Sequence, residues 1–184
     1  FYFMKHQDGT VANTYDDLPK MAQAALAAGI KNILLFGWTK YGHDNYYPFG
    51  YFPNEAWGGE DKLKGKIAEC KQMGCRIIPF FNGTLLDIST KEYGEKGDGW
   101  CVKGRSGSVY LGYDFSRAVT DYGFATASLP LTTERNMTLH DICITSQEAK
   151  AWWKNEIQRI VGRYQFGNLQ LDQIGHKCYA CYDA

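Results

Sequence analysis

The chain has 184 residues, 45% of them hydrophobic and 22% charged, and a formal net charge of zero at neutral pH. This balance suits a globular domain with a sizeable core, excludes the basic stripe of a nucleic-acid binder, and leaves no apolar run long enough to cross a bilayer as a helix. The opening residues, Phe1 to His6, lack the basic start and apolar run of a signal peptide, and a first residue other than Met implies processing or excision from a longer polypeptide.

In chain order, Phe1 to Met4 reads as a strand already at its end. A helix follows over about 17–28, with Leu18, Met21, Ala22, Ala25 and Leu26 on one face, Asp16 or Asp17 as cap, Pro19 in the first turn and Gly29 as the stop. Asn32 to Trp38 is apolar almost throughout, as expected of a strand buried on both faces of a parallel sheet. A second helix over about 60–73 carries Leu63, Ile67 and Cys70 on one face and ends at Gly74. Cys75 to Phe81 is the third strand, although Pro79 cannot donate to a ladder. After a long insertion, 88–144, a third helix over about 146–164 shows an apolar stripe of Ala149, Trp153, Ile157, Ile160, Val161 and Tyr164, with Thr145 and Glu148 at capping-box spacing. Leu169 to Asp172 is the fourth strand.

The order β-α-β-α-β-(insertion)-α-β predicts an α/β fold with parallel strands. An open doubly wound sheet and a (β/α)₈ barrel both fit. No Gly-x-Gly-x-x-Gly follows a strand, which removes support for dinucleotide binding. Long loops follow the strand carboxyl ends while the helix-to-strand turns are tight, the asymmetry of a TIM barrel whose active face is built from βα loops. Eight such units need about 250 residues. The chain therefore reads as one partial barrel domain over 1–184, roughly the first four βα units, with the 88–144 insertion covering the active face. Within that insertion, Trp100–Lys103 and Ser108–Leu111 flank a Gly-containing turn and predict a hairpin.

Chemistry is expected in the loops. The 13 Tyr, 10 Phe and 5 Trp cluster in Gly-rich stretches, either packing beneath loops or offering flat platforms to sugar rings. After the second strand, Trp38, His43, Asp44, Asn45 and Tyr47 form a group suited to hydroxyl recognition, with Trp38 as floor; the competing reading is a turn held by Asx hydrogen bonds. Asn82 stands at the tip of the third strand, and Asp87 beyond it is either a second carboxylate or a helix cap. His140 and Asp141 form either a pH-active pair or a solvated lead-in to the third helix. Asp172 ends the fourth strand. A carboxylate at the tip of a buried strand costs desolvation unless it is paired or faces a cleft, so Asp172 is the best single candidate for a working carboxylate, with Gln173 beside it to bind it or a substrate hydroxyl. The six cysteines are irregularly spaced, with Cys178-x-x-Cys181 as half a metal motif that Cys143 and His176 could complete.

The stretches "LLFGWTKYGHDNYYP", "GGEDKLKGKIAECKQMGCRIIPFFNG" and "LQLDQIG" together resemble a family of largely uncharacterised bacterial TIM-barrel proteins related to glycoside hydrolases. They are more distantly similar to clan-D α-galactosidases and family 31 α-glucosidases. The resemblance spans most of the chain outside the insertion. It implies retaining hydrolysis of glycosidic bonds with Asp172 as nucleophile, a carbohydrate substrate, no cofactor or metal, and a partner in the remainder of a longer polypeptide. The general acid of those enzymes comes from a sixth strand that this chain does not contain, and Gly167-Asn168-Leu169-Gln170 replaces their acidic lead-in. A non-catalytic carbohydrate-binding protein and a metal-stabilised structural domain are the rival readings.

Overall fold

A computed structural model describes residues 2–6, 9–109, 111–114, 138–173 and 181. The elements in chain order are β1 (Tyr2–Phe3), α1 (Leu18–Ala27), β2 (Asn32–Phe36), α2 (Gly59–Gln72), β3 (Arg76–Asn82), β4 (Leu85–Asp87), α3 (Lys91–Trp100), β5 (Leu111–Asp114), β6 (Thr138–Asp141), α4 (Gln147–Gln158) and β7 (Gln170–Asp172). They fall into two compact units.

The first unit comprises Phe1–Asn45, Gly50–Phe81 and Lys154–Leu171. Its sheet has the order β1-β2-β3-β7. β1 and β2 pair in parallel, as do β2 and β3, in the register Tyr2↔Leu35 and Ile33↔Ile77. Pro79 is part of β3 after all. It faces Leu35 at the last pairing of the β2–β3 ladder, so its missing N–H falls where the ladder stops. The helices follow the predicted faces: Leu18 and Ala22 of α1 and Leu63, Ile67 and Cys70 of α2 are buried with Leu35, Ile77 and Phe81 of the strands. The 3₁₀ turn Tyr15–Asp17 that leads into α1 carries a capping box in which Thr14 N–H donates to Asp17 Oδ2 at 2.9 Å, and Asp17, at the α1 N-cap position, makes no side-chain cap bond to α1 itself. Past Lys154, α4 ends in a π-helical turn over Arg159–Arg163, where Arg159 pairs with Glu156 and lies 4.3 Å from the centre of the Phe52 ring.

The second unit comprises Tyr46–Phe49, Asn82–Trp153 and Asp172–Ala184. Its antiparallel sheet, β4-β6-β5, pairs Leu86 with His140 and Asp87 with Leu139. The sequence pattern did not foretell this sheet or helix α3. The predicted hairpin is present but narrower, with Lys103 bridged to Val109 around Gly104–Gly107. Trp100 belongs to α3, not to the hairpin, and packs with Phe49, Leu86, Cys101, Ile142 and Ala149. The α4 cap also differs by one residue. Ser146 Oγ accepts the Ala149 N–H, while Glu148 turns to Lys96 Nζ at 3.1 Å.

Candidate functional site

Asn82 is the last residue of β3 and Asp172 the last of β7, and these strands are neighbours in the sheet. Asn82 is 1% exposed. Its Oδ1 accepts three hydrogen bonds, from Thr84 N–H at 3.0 Å, Thr84 Oγ1 at 3.2 Å and Leu85 N–H at 3.2 Å. Three donors on one atom fix which end of the amide is oxygen. Nδ2 therefore points the other way and donates to Asp172 Oδ2 at 3.3 Å. The turn Asn82–Leu85 thus aims one N–H at the half-buried carboxylate.

Gly83 makes that turn sterically feasible. A Cβ on it would stand 1.7 Å from Trp153 Nε1 and 2.1 Å from Cε2, so the indole lies directly on the glycine. Gln173, which follows Asp172, has a left-handed φ of 60°. Its Oε1 is buried and accepts no hydrogen bond from the described residues. Such an acceptor is costly unless another group donates to it.

The loop after β2 splits into outward and inward members. His43 Nε2 lies 3.4 Å from Asp44 Oδ1, with side chains 18% and 26% exposed, and the imidazole is packed edge-on by Phe3, Phe36 and Phe80. Asn45 serves the loop itself, donating to the Tyr41 and His43 carbonyls at 3.1 and 3.3 Å. Tyr47 is 3% exposed. Trp38 lies in the core at 1% exposure: its Nε1 donates to the Phe80 carbonyl at 3.1 Å, and Tyr51, Tyr164 and Phe166 surround its rings. Packing has taken the faces that a sugar floor would need.

Asp87 is fully buried. Its Oδ2 accepts Tyr46 N–H at 3.1 Å, its Oδ1 accepts Ser89 N–H and Oγ at 2.8 and 2.7 Å, and its own N–H reaches the Tyr47 carbonyl at 2.8 Å. It ties two chain segments together. His140 Nδ1 meets Tyr93 Oη at 2.9 Å and Cys101 Sγ at 3.9 Å. Burial holds the His140 imidazole below its ordinary value of 6.5, with the Asp141 charge acting in the opposite sense. Among the described residues no cluster of three metal-ligating side chains occurs. His176 and Cys178, half of the ligand set considered for a metal, lie outside the described residues. A cavity of about 440 Å³ opens between α1 and the β1–β2 edge, lined by Tyr2, Asp17, Lys20 and Met21 among others, and holds none of the predicted site residues. Among the described residues, no helix is long and apolar enough to cross a membrane.

The sequence pointed to Asp172, Asn82 and Gln173, which the structure gathers at one pair of strand ends. It did not point to Gly83, Thr84 or Trp153. The readable signal was Asn-Gly-Thr directly after a strand.

The family model described as "Domain of unknown function (DUF6259)" matches residues 7–184. No curated protein sequence matches. Among solved structures, the α-amylase of Geobacillus thermoleovorans, complexed with acarbose, aligns at a TM-score of 0.63 and 14% identity, over 93% of this chain and 36% of that one. The α-galactosidase of Thermus thermophilus aligns at 0.60 and 13%, over 87% and 28%. The α-N-acetylgalactosaminidase of Bifidobacterium bifidum aligns at 0.61 and 12%, over 88% and 23%. At these identities the likeness is one of fold: the α/β fold of TIM-barrel glycoside hydrolases, of which the chain spans about a quarter to a third of each relative's length.

Proposed function

We propose, on the premise that the chain belongs to the DUF6259 family and has the fold of glycoside hydrolases, that it supplies the nucleophile-bearing part of a retaining glycosidase. The observation that carries this reading is the Asn82 N–H donated to Asp172 at the adjoining ends of β3 and β7. In this fold, catalytic side chains sit on the carboxyl ends of strands.

One Asp172 oxygen attacks the anomeric carbon, the glycosidic C–O bond breaks, and the leaving oxygen takes a proton from a second carboxylic acid. The same second group then removes a proton from water as water displaces Asp172 and restores its carboxylate. That group belongs to the part of the barrel outside these 184 residues, so the active protein is longer, and this chain is the first four βα units of a (β/α)₈ domain. Asn82 is a positioning residue. Gln173 Oε1 takes its missing donor from a sugar hydroxyl. His43 and Asp44 keep their expected part in hydroxyl recognition, being partly open to solvent.

The test uses the full-length polypeptide with a panel of aryl glycosides. Asp172→Ala is expected to abolish turnover, and azide to restore it by attacking from the vacated side, releasing a glycosyl azide of inverted configuration. Undiminished turnover in Asp172→Ala removes Asp172 from the mechanism. Sugar binding without turnover in the parent protein favours a carbohydrate-binding role.

A further inference from the structure

The second unit contains a thiol pair that the glycosidase reading does not use. Cys143 lies two residues beyond β6, just ahead of the Ser146 cap of α4, and Cys181 lies in the segment after β7. The Cys143 thiol is hydrogen bonded to Cys181 and, at 2.9 Å, to Thr145 Oγ1. Cys181 Sγ also accepts the backbone N–H of Lys103 at 3.5 Å. Cys143 is held from its backbone side as well, its N–H donating to the Trp100 carbonyl. Three chain segments therefore converge on two sulfurs, and both cysteines are free thiols.

We propose that Cys143 and Cys181 are a reversible thiol–disulfide clip fastening the segment after β7 to the turn between β6 and α4. The exposures set the order of events. Cys143 is 2% exposed and Cys181 is partly exposed. The Cys181 thiolate attacks a low-molecular-weight disulfide such as oxidised glutathione, forming a mixed disulfide and expelling one glutathione thiolate. The Cys143 thiolate then attacks the Cys181 sulfur and expels the second. The protein loses two electrons and two protons, and one glutathione disulfide becomes two glutathione thiols. Reduction by a dithiol reverses both steps.

Burial pushes the Cys143 thiol up, but hydrogen bonds with Cys181, the Thr145 hydroxyl and the Thr145 and Ser146 N–H groups outweigh burial and hold it below its ordinary value. The other close pair shows the contrast. Cys70 and Cys75 are both fully buried, their backbones are joined by a 3.0 Å hydrogen bond, and burial pushes the Cys70 thiol up to about 11. That pair is inert packing.

The clip is independent of hydrolysis, and so is its test. The full-length protein is equilibrated in buffers of rising oxidised-to-reduced glutathione ratio, alkylated, digested and mapped by mass spectrometry. A Cys143–Cys181 cross-linked peptide is expected to accumulate. The oxidised protein should melt about 5–10 °C above the reduced one. Cys143→Ser and Cys181→Ser should each lose that increment, while Cys178→Ser keeps it. A Cys178–Cys181 link in its place, stable glutathione on Cys181 with no cross-link, or zinc that keeps the thiols from reacting each overturns the proposal. The mapping on the parent protein decides even if a serine variant fails to fold.

Discussion

Gly83→Ala tests whether the strand-end geometry depends on the glycine–indole contact. The added Cβ would stand 1.7, 2.1 and 2.4 Å from three atoms of the Trp153 ring, where ordinary contact begins at 3.4 Å. The ring, or the Asn82–Leu85 turn, must therefore retreat by roughly 1.7 Å. A rigid indole cannot swing a tip aside as a lysine does. Overpacking of this kind costs about 3 kcal/mol. Because the turn also supplies the donors on Asn82 Oδ1, any retreat of the backbone moves Nδ2 off Asp172. A misplacement of about 1 Å near a reacting group costs on the order of 100-fold in rate. Urea denaturation followed by fluorescence should show a lower midpoint, and turnover should fall more than substrate affinity. The double variant Gly83→Ala/Trp153→Ala should then show a coupling of about 1–3 kcal/mol, since removing the ring makes room for the methyl. Additive effects, or an unchanged midpoint in the single variant, would refute the claimed contact.

Asn82→Asp replaces a donor with a second carboxylate beside Asp172, and like charges favour the protonated form. The acidic limb of the kcat/KM profile is expected to move to higher pH, and an unmoved limb counts against the Asn82–Asp172 contact. Trp38→Phe removes the Nε1 bond to the buried Phe80 carbonyl and should cost about 1–2 kcal/mol by urea denaturation without altering which sugar is accepted; changed sugar selectivity would return Trp38 to the binding site. His140 contributes stability in its neutral form. Its folded value is lowered below 6.5, so the unfolded chain binds the proton more readily, and its contribution is complete above about 6.5 and lost as pH falls below it. Urea midpoints measured from pH 8 to 5 should fall less steeply in His140→Phe than in the parent, and parallel slopes would remove His140 as a source of the decline.

What the sequence made legible depended on how far apart the deciding residues lie. Helices α1 and α2 announce themselves through apolar spacing and stop at Gly29 and Gly74, because both signals are local. Helix α3 hides behind Gly94, Gly97 and Gly99, each costing about 1 kcal/mol of helix propensity. Gly97 is there because a Cβ would press the Tyr93 ring at 2.8 Å, a constraint invisible until Tyr93 is placed. The β4–β6 pairing joins Leu85 to Asp141 across most of the insertion, and no short-range pattern records such a partner. The candidate site divides the same way. Asp172 and Asn82 were readable as strand tips. Gly83 against Trp153 was not, since the contact spans most of the second unit. Trp38 shows the opposite error: position after a strand suggested exposure, and packing gave the ring to the core.

Asp44, in the loop after β2, and Asp87, at the end of β4, have assignments of their own. A general acid must present its proton to the glycosidic oxygen. Asp87 is fully buried, and both its oxygens take donors from Tyr46 and Ser89. Withdrawing it would leave those backbone N–H groups unpaired, at about 1–3 kcal/mol each. Its work is to hold the chain after β4 against the segment that begins at Tyr46. Asp44 is paired with His43 in a loop where both it and Tyr46 adopt left-handed backbone, a conformation that non-glycine residues keep only when neighbours enforce it. Both carboxylates are therefore engaged in local structure. Asp172 accepts the Asn82 amide at a strand end, and the next residue carries a buried acceptor for which the described residues supply no donor. On the proposed reading, the second carboxyl is supplied by the remainder of the barrel and not by Asp44 or Asp87, whose oxygens already serve local structure.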